Sequence, residues 1–360
     1  MSKRILVIQQ KMIGDVLASS VICDLLKQKL PDSQVDYVVN DGAIDVVKNH
    51  PHIDGLVIFQ SHFKKNYGAF YKFLREIRSR RYDIVIDAYG KLESNLITLA
   101  SGAKVKISYK KWYTSWIYTH LCKPHSERKT PMGLAIENRL LLLEPVLGPS
   151  DGFFIKPKIH LSTDEIQKAK ELLKTSGVDL SRPLIMIGVL GSSDIKSYPL
   201  NYLTTLLEEI IEKTGARLLF NYSPHQEEQV KAYIELCPQE VKNAVYHDFE
   251  PGSLRSFLAV LSQCTAYVGN EGGMVNMSKA LGLPTFNIFS PWISKKAWDT
   301  FNNETRNQAV HLRDYKPELF EGKSKSQLKK ESLDLYQEFE PGLIKIELRN
   351  FLIREGIPNE

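Results

Sequence analysis

Residues 5–22 read ILVIQQKMIGDVLASSVI, and this stretch decides the fold. Ile5 to Ile8 form a short aliphatic run, which predicts one buried parallel strand. The run then breaks, Gly14 permits a tight turn, and Asp15 comes where a helix would start. An amphipathic helix is predicted over 15–30, with one face formed by Val16, Leu17, Ser20, Val21 and Leu25. The stretch is therefore a strand, a loop and a helix.

Asp15 stands at the junction between this loop and its helix. In an open parallel sheet, that junction lies at the carboxyl end of the strand, where ligands bind. A carboxylate at this place is either a helix cap or a catalytic base. Spacing alone favours the cap, and both interpretations stay open at this point.

The composition is that of a soluble globular protein, with 43% hydrophobic and 25% charged residues. A length of 360 residues suits two domains. No apolar run approaches the ~18 residues of a membrane span. The N-terminus enters the first strand directly, so no signal peptide is expected. The four cysteines form no CxxC pair, which favours reduced thiols in a cytoplasmic protein.

Charge is distributed unevenly along the chain. Residues 1–160 hold 24 Lys and Arg against 15 Asp and Glu, a net +9. Residues 161–360 hold the other 23 and 27, a net −4, so that the two halves sum to +5. This asymmetry suits two halves that face different partners, although ordinary solvated charge explains it equally well.

The first half alternates strands and helices, which predicts a parallel sheet in a domain over 1–160. The predicted strands cover 34–39, 54–59, 82–87 and 105–108, and the predicted helices cover 42–49, 69–80 and 94–101. A turn-rich connector follows over 145–160.

A second alternating series predicts another doubly wound domain over 161–340. Its strands are predicted at 184–190, 217–222, 245–249, 266–269 and 285–289, and its helices at 164–176 (capped by Thr163), 201–213, 227–236, 253–263 and 274–281. The tail, 341–360, is predicted as an amphipathic helix that packs back on the N-terminal domain. The fold class is therefore α/β, with two Rossmann-like domains facing a central cleft.

Basic and aromatic residues alternate over 104–129. The central ones are Lys110, Lys111, Trp112, Tyr113, Trp116, Ile117 and Tyr118. Such a mixture suits a membrane interface or a phosphorylated amphiphilic ligand, and it also suits a partly buried surface helix with snorkelling lysines. No nucleic-acid-binding motif is present, so no nucleic-acid partner is expected.

Three motifs of the second half suit a nucleotide ligand. Ser192, Ser193 and Lys196 follow an apolar strand and suit a phosphate, although a surface turn explains them as well. Gln226 starts a helix, where it would contact ribose hydroxyls or only cap the helix. Gly272 and Gly273 precede another helix, whose free N–H groups favour a diphosphate.

Neither Asp-x-Asp nor HExxH nor CxxC occurs, so neither a metal nor another cofactor is expected. Lys196 and the helix end at 272–273 would then stabilise a leaving diphosphate.

Five stretches together resemble glycosyltransferase family 9, the lipopolysaccharide heptosyltransferases and their relatives. They are MIGDVL at 12–17, RYDIVIDAYGKLESN at 81–95, SSDIKSYP at 192–199, SPHQEE at 223–228 and GNEGGMVNMSKALGLPTFNIFSP at 269–291. They occur in the family's order over about residues 3–300. The resemblance implies a GT-B fold with an N-terminal acceptor site and a C-terminal donor site. It also implies metal-independent, inverting transfer from an ADP-heptose-type donor.

The resemblance carries roles over to single positions. Asp15 matches the family's base, which favours the base over the cap, and Lys196 matches its phosphate-binding lysine and is the second predicted catalytic residue. The predicted donor site comprises Ser192, Ser193, Lys196, Gln226, Glu271, Gly272, Gly273 and Asn276. The predicted acceptor site comprises Lys11, Lys110, Lys111 and Trp112.

Four positions depart from the family pattern, and all lie around the donor. The family usually has aspartate at the place of Glu271, histidine at that of Asn276, an acidic residue at that of Gln226, and a glycine-proline turn at 290–292. They bear on donor identity more than on fold or reaction.

The sequence thus predicts transfer of a heptose-type sugar to a phosphorylated glycolipid such as a lipopolysaccharide core, by a cytoplasmic protein peripheral to the inner membrane. Two alternatives remain. One is a GT-B transferase that uses a UDP- or GDP-sugar. The other is a family member that has lost transfer and acts as a binding or assembly protein. Binding to a panel of nucleotide sugars discriminates among the three.

Overall fold

The computed structural model describes residues 2–150, 152–246, 251–302 and 306–357. The chain forms two compact units, over 1–160 and 161–360. Each unit is built from alternating strands and helices around its own parallel sheet. The predicted α/β class with two Rossmann-like domains is confirmed.

The first unit contains six strands and five α-helices within its described residues. In chain order they are β1 (Arg4–Ile8), α1 (Ile13–Lys29), β2 (Gln34–Asn40), β3 (Gly55–Phe59), α2 (Tyr67–Ser79), β4 (Ile84–Asp87), α3 (Leu92–Ser101), β5 (Val105–Tyr109), β6 (His120–Cys122), α4 (Leu134–Leu141) and α5 (Glu144–Leu147). Short 3-10 helices cover Asp41–Val46, Ser61–Lys64 and Ser115–Ile117. The first of these lies where an α-helix over 42–49 was predicted.

The sheet of the first unit has the order β3-β2-β1-β4-β5-β6, and its strand pairs are parallel. The chain leaves β1 in one direction along the sheet and returns to β4 on the other side. Ile8 and Asp87 are paired where these two strands end. This topological switch point is where open α/β sheets bind ligands.

Helix α1 is more deeply buried than the predicted amphipathic helix. Every residue from Val16 to Leu26 is buried, so the helix has no solvent-facing side over this length. It packs against α4 and the 3-10 helix at 41–46 as well as against β2, which covers several of its faces. The preceding turn also differs, because Gly14 lies inside the helix, and Met12, with φ 61°, makes the turn instead.

The second unit contains six strands and ten α-helices within its described residues. They are α6 (Thr163–Thr175), β7 (Leu184–Gly188), α7 (Leu200–Thr214), β8 (Arg217–Asn221), α8 (Glu227–Leu236), α9 (Gln239–Ala244), β9 (Val245–Tyr246), α10 (Leu254–Leu261), β10 (Ala266–Asn270), α11 (Gly273–Ala280), β11 (Thr285–Ile288), α12 (Lys295–Trp298), β12 (Asn307–Val310), α13 (Lys325–Lys330), α14 (Ser332–Gln337) and α15 (Pro341–Arg354). Residues 247–249 of the predicted strand at 245–249 lie outside the described part.

The second sheet repeats the topology of the first, with the order β12-β11-β10-β7-β8-β9 and parallel pairs. Its switch point lies between β7 and β10, where Gly188 pairs with Gly269. A Cβ on Gly269, which has φ 155°, would lie 2.7 Å from the Cα of Gly188. Glycine at this place therefore lets the two central strands approach closely.

Helix α6 is capped by Ser162 and not by the predicted Thr163. The Ser162 hydroxyl accepts from the N–H of Glu165, whose carboxylate accepts from the N–H of Ser162. Glu165 also pairs with Arg255 at 2.7 Å, and this hydrogen bond lowers the pKa of Glu165 to about 2. The Ser162 N–H and Arg255 thus hold the Glu165 carboxylate and fix the first turn of α6.

The apolar face of α15 belongs to the core of the second unit. Ile344, Leu348, Phe351 and Leu352 are buried in that core, and the helix packs against α7. The buried carboxylate of Glu209 on α7 pairs with Lys345 at 2.9 Å and Arg349 at 2.7 Å. The prediction that this face packs on the N-terminal domain is wrong, because its apolar and charged partners lie on α7.

We expect Leu348→Ala to destabilise the second unit. Leu348 is 0% exposed, and removing a buried leucine side chain costs about 2–5 kcal/mol. The control is Ile346→Ala on the same helix, because Ile346 is 65% exposed and loses little burial. Urea unfolding checks both variants. Equal midpoints for the two would contradict the placement of α15.

Candidate active site

Asp15 lies in the first turn of α1, at the carboxyl edge of the first sheet. Met12 is the N-cap of this helix, and no side chain makes a capping bond there. The carboxylate of Asp15 instead accepts a hydrogen bond at Oδ1 from Nη2 of Arg139, at 2.6 Å. The cap interpretation is therefore wrong, and the carboxylate is held by a side chain far away in the sequence.

Arg139, on α4, was missed by the sequence analysis. Its side chain is buried, and its fork makes three contacts: Asp15, the Ser19 hydroxyl at 2.8 Å and the Ala135 carbonyl oxygen at 2.6 Å. Because Ser19 and Ala135 lie on helices, their contacts hold the guanidinium beside Asp15, where it bonds one carboxylate oxygen. Within the described part of the chain, no hydrogen bond reaches the second oxygen of Asp15, and its side chain is 26% exposed.

Two lysines follow strands at the same edge of the sheet: Lys11 comes after β1 and Lys64 after β3. Lys64 pairs with Glu93 at 2.9 Å. A hydrogen bond to Lys64, together with its charge, lowers the pKa of Lys11. This edge of the sheet therefore combines the carboxylate of Asp15 with two lysines, one of which is paired with Glu93, and the two lysines favour a negatively charged ligand.

Asp87, at the end of β4, is fully buried and shapes the neighbouring loop. It accepts from the Tyr118 hydroxyl at 2.6 Å and from the N–H groups of Tyr89 and Gly90. Burial raises the pKa of Asp87. Lys111 donates to the carbonyl oxygen of Gly90 at 2.6 Å, and its pKa is lowered mainly by burial. The predicted acceptor residue Lys111 is thus tied to this loop.

The basic and aromatic segment divides into a buried part and an exposed part. Ile117 and Tyr118 are buried, so their prediction as part of a contact face is wrong: Tyr118 turns inward to bond Asp87. Trp112 is 88% exposed and Trp116 is 73% exposed. Tyr113 and the predicted acceptor residue Lys110 are exposed as well. Large exposed aromatic side chains next to a lysine form a small amphiphilic patch.

The second unit places its predicted donor residues at the ends of β7 and β10. Asn270 joins the two ends: its Oδ1 accepts from the N–H of Tyr198 at 2.8 Å, and its Nδ2 donates to the Gly188 carbonyl at 3.0 Å. Asn270 thereby links the start of the loop between β7 and α7, at Gly188, to its end, at Tyr198. Ser192 and Ser193 are exposed on this loop, and no side-chain hydrogen bond engages their hydroxyls among the described residues.

Lys196 and Glu271 meet across the switch point. Lys196 Nζ lies 3.5 Å from Oε1 of Glu271, an ion pair without hydrogen-bond geometry. The Glu271 side chain is nine-tenths buried, and burial raises its pKa, against the opposite influence of Lys196. A buried carboxylate oxygen without a hydrogen bond is costly, and a ligand hydroxyl would satisfy it.

Helix α11 begins at Gly273, directly after this pair. Gly272 has φ 153°, a conformation that favours glycine, and open space surrounds both glycines. The first N–H groups of the helix therefore face a space that a phosphate could fill. The predicted donor residue Asn276 lies half-buried on this helix.

Gln226 has a structural role. Its Oε1 accepts from the N–H of Ser223, and its Nε2 donates to the Gly191 carbonyl, both at 2.9 Å. The side chain thus links the turn after β8 to the loop after β7.

The structure groups the predicted residues unit by unit. Asp15 and Lys11 share one sheet edge in the first unit, whereas Lys110 and Trp112 belong to the exposed patch. In the second unit, Lys196 and Glu271 meet, and Gly272 follows directly. No group of three or more His, Cys, Asp or Glu side chains within the described ranges could hold a metal ion.

Comparisons with known proteins place this site in a family context. The model of glycosyltransferase family 9 (heptosyltransferase) matches residues 70–326. Lipopolysaccharide heptosyltransferase 1 of Campylobacter coli is 25% identical over 79% of this chain and 83% of its own. A solved family 9 glycosyltransferase of Veillonella parvula has a TM-score of 0.74 at 18% identity, covering 93% of this chain and 97% of that one. The E. coli heptosyltransferase WaaC, solved with ADP, has a TM-score of 0.67 at 18% identity, covering 96% and 99%. These similarities confirm the predicted GT-B fold.

Proposed function

Because the chain belongs to glycosyltransferase family 9, the heptosyltransferases, we propose that it transfers a heptose-type sugar from an ADP sugar to a lipopolysaccharide core or related glycolipid. We further propose that the transfer inverts the anomeric centre and needs no metal ion. The family supports the reaction class, and the residues described above support the individual roles.

In this proposal Asp15 is the general base. An acceptor hydroxyl attacks the anomeric carbon, its proton passes to the carboxylate, and the electron pair of the breaking bond leaves with the diphosphate. A single displacement of this kind inverts the anomeric configuration. The observation that carries the role is that Arg139 holds one oxygen of Asp15, while the other has no hydrogen bond within the described residues. Arg139 is thus a positioning residue.

The donor would be held by the second unit. Lys196 and the first N–H groups of α11 contact the diphosphate, and the hydroxyls of Ser192 and Ser193 are available beside them. The unsatisfied oxygen of Glu271 accepts a hydrogen bond from a hydroxyl of the nucleotide sugar. The choice of ADP is supported by the ADP in the E. coli relative. Positive charge from Lys196 and α11 takes the place of a metal ion.

The acceptor would meet the first unit. Lys11 and Lys64 suit the negative charges of a phosphorylated glycolipid, and Lys110, Trp112 and Trp116 suit the headgroup region of a bilayer. Among the described residues, no helix combines the length and the apolar character that crossing a membrane requires. We propose peripheral contact with the cytoplasmic face of the inner membrane through this patch.

Asp15→Asn tests the base. The amide oxygen can still accept from Arg139, so the fold is retained while the proton acceptor is lost. We expect kcat to fall by about 10²–10⁴-fold, the usual contribution of a general base. Asp32→Asn, an exposed carboxylate in the loop after α1, is the matched control. Thermal melts establish that both variants fold. Transfer at the parental rate by Asp15→Asn would rule out this role.

Chelation tests the metal-free claim. After dialysis against EDTA, we expect the initial rate of transfer to stay within about twofold of the untreated protein, because lysine and helix N–H groups carry the charge of the leaving diphosphate. A loss of activity that Mg²⁺ or Mn²⁺ restores would overturn the claim. A known metal-dependent transferase, treated in parallel, verifies that chelation is complete.

Trp112→Ala/Trp116→Ala tests the membrane contact. We expect binding to vesicles of phosphatidylcholine and phosphatidylglycerol to weaken by roughly tenfold, which corresponds to about 1.4 kcal/mol. Leu236→Ala, which removes an 85% exposed leucine from the second unit, should bind as the parent does. Co-sedimentation provides the measurement. The contact would be refuted by a double variant that sediments like the parent.

A further inference from the structure

Trp292, in the turn that departs from the family pattern, is fixed against the loop after β7. Its indole Nε1 donates to the carbonyl oxygen of Ile195 at 3.2 Å. The same oxygen accepts from the hydroxyls of Ser290 at 2.6 Å and Ser332 at 3.0 Å. Three donors on one carbonyl oxygen hold together the turn at 290–292, the start of α14 and the loop after β7. The indole is therefore held beside the loop that carries Lys196.

Three ammonium groups surround this indole. The Nζ atoms of Lys196, Lys325 and Lys329 lie 5.8, 5.5 and 5.3 Å from its ring centroid. Lys325 and Lys329 are four residues apart on α13, so they project from the same side of that helix. The indole is half-buried, and a cation over a ring gains about 0.5–1 kcal/mol at exposed sites and about 2 kcal/mol when desolvated. The contacts with the indole thus bring the three ammonium groups together and leave their positive charges in place.

The charge of this cluster is largely uncompensated. Glu271 pairs with Lys196, but no carboxylate pairs with Lys325 or Lys329 in the described part of the chain. The nearby Glu331 is already paired with Lys323 at 2.6 Å. Three lysines and one glutamate leave a net charge of +2. Such an excess of positive charge around one indole, next to the loop after β7, attracts a compact anion.

We propose that Lys325 and Lys329, held at Trp292, extend the donor site and bind the diphosphate of the nucleotide sugar together with Lys196. This inference rests on the proposed function. The diphosphate of a nucleotide sugar carries two negative charges, which match the excess. When the bond from the anomeric carbon to the phosphate oxygen breaks, the diphosphate leaves with one further negative charge. The three lysines stabilise that charge as it develops.

Lys325→Gln/Lys329→Gln tests the inference, with Lys330→Gln on the same helix as the matched control, since Lys330 does not contact the indole. The probe is inorganic pyrophosphate, which contains neither base nor sugar, measured by titration calorimetry on the full chain. We expect the Kd of the double variant to rise about tenfold or more, because two charges are lost close to the anion. Lys330→Gln should bind as the parent does. A second variant, Lys329→Glu, should weaken binding further.

Unchanged pyrophosphate binding in the double variant overturns the inference. Sugar transfer by the unmodified chain, measured in parallel, separates this result from failure of the proposed function. If the parent transfers sugar and the double variant has an unchanged KM for the donor, the inference alone fails. If the parent transfers no sugar from any nucleotide sugar but binds pyrophosphate through these lysines, the proposed function fails and the anion site stands.

Discussion

The hydrogen bond between Arg139 and Asp15 is the contact on which the account of the first unit depends. It is 2.6 Å long and joins two helices that are far apart in the sequence. A buried arginine needs partners for its donors, and Asp15, Ser19 and the α4 backbone supply them. The same need ties one oxygen of the Asp15 carboxylate to Arg139 at the carboxyl edge of the sheet. The same ion pair therefore joins α1 to α4 and holds the carboxylate that is proposed as the base.

In the second unit, a buried amide side chain joins the elements around the candidate site. Asn270 is buried between the ends of β7 and β10 and bonds the backbone on both sides. These bonds hold the loop after β7 in place, with Lys196 opposite Glu271 and the first turn of α11 directly after Glu271. Since both sheets have the same type of strand order, the candidate residues of each unit lie where the chain direction along its sheet reverses. The same topology therefore underlies both proposed ligand sites.

The sequence predicted much of this, because buried parallel strands are continuous aliphatic runs and the motifs follow those strands directly. The sequence-based prediction failed where the environment of a residue is set by an element far away in the sequence. The apolar pattern of α1 could not show that α4 covers a further face, and α4 itself carried no start signal that drew attention to Arg139. Asp15 has the spacing of a cap, but only the folded chain shows that it bonds Arg139 instead. The pattern of α15 likewise predicted an apolar face but not that its partner was α7.

A double-mutant cycle on Asp15 and Arg139 tests the central claim most directly, with kcat/KM for sugar transfer as the measured quantity. Arg139→Lys keeps the charge but cannot make the three contacts of the fork, so this single variant should lose activity. If Arg139 acts through Asp15, adding Arg139→Lys to Asp15→Asn should cause almost no further loss. If the two losses instead multiply, Arg139 acts independently, and the account of a carboxylate positioned by this arginine is contradicted.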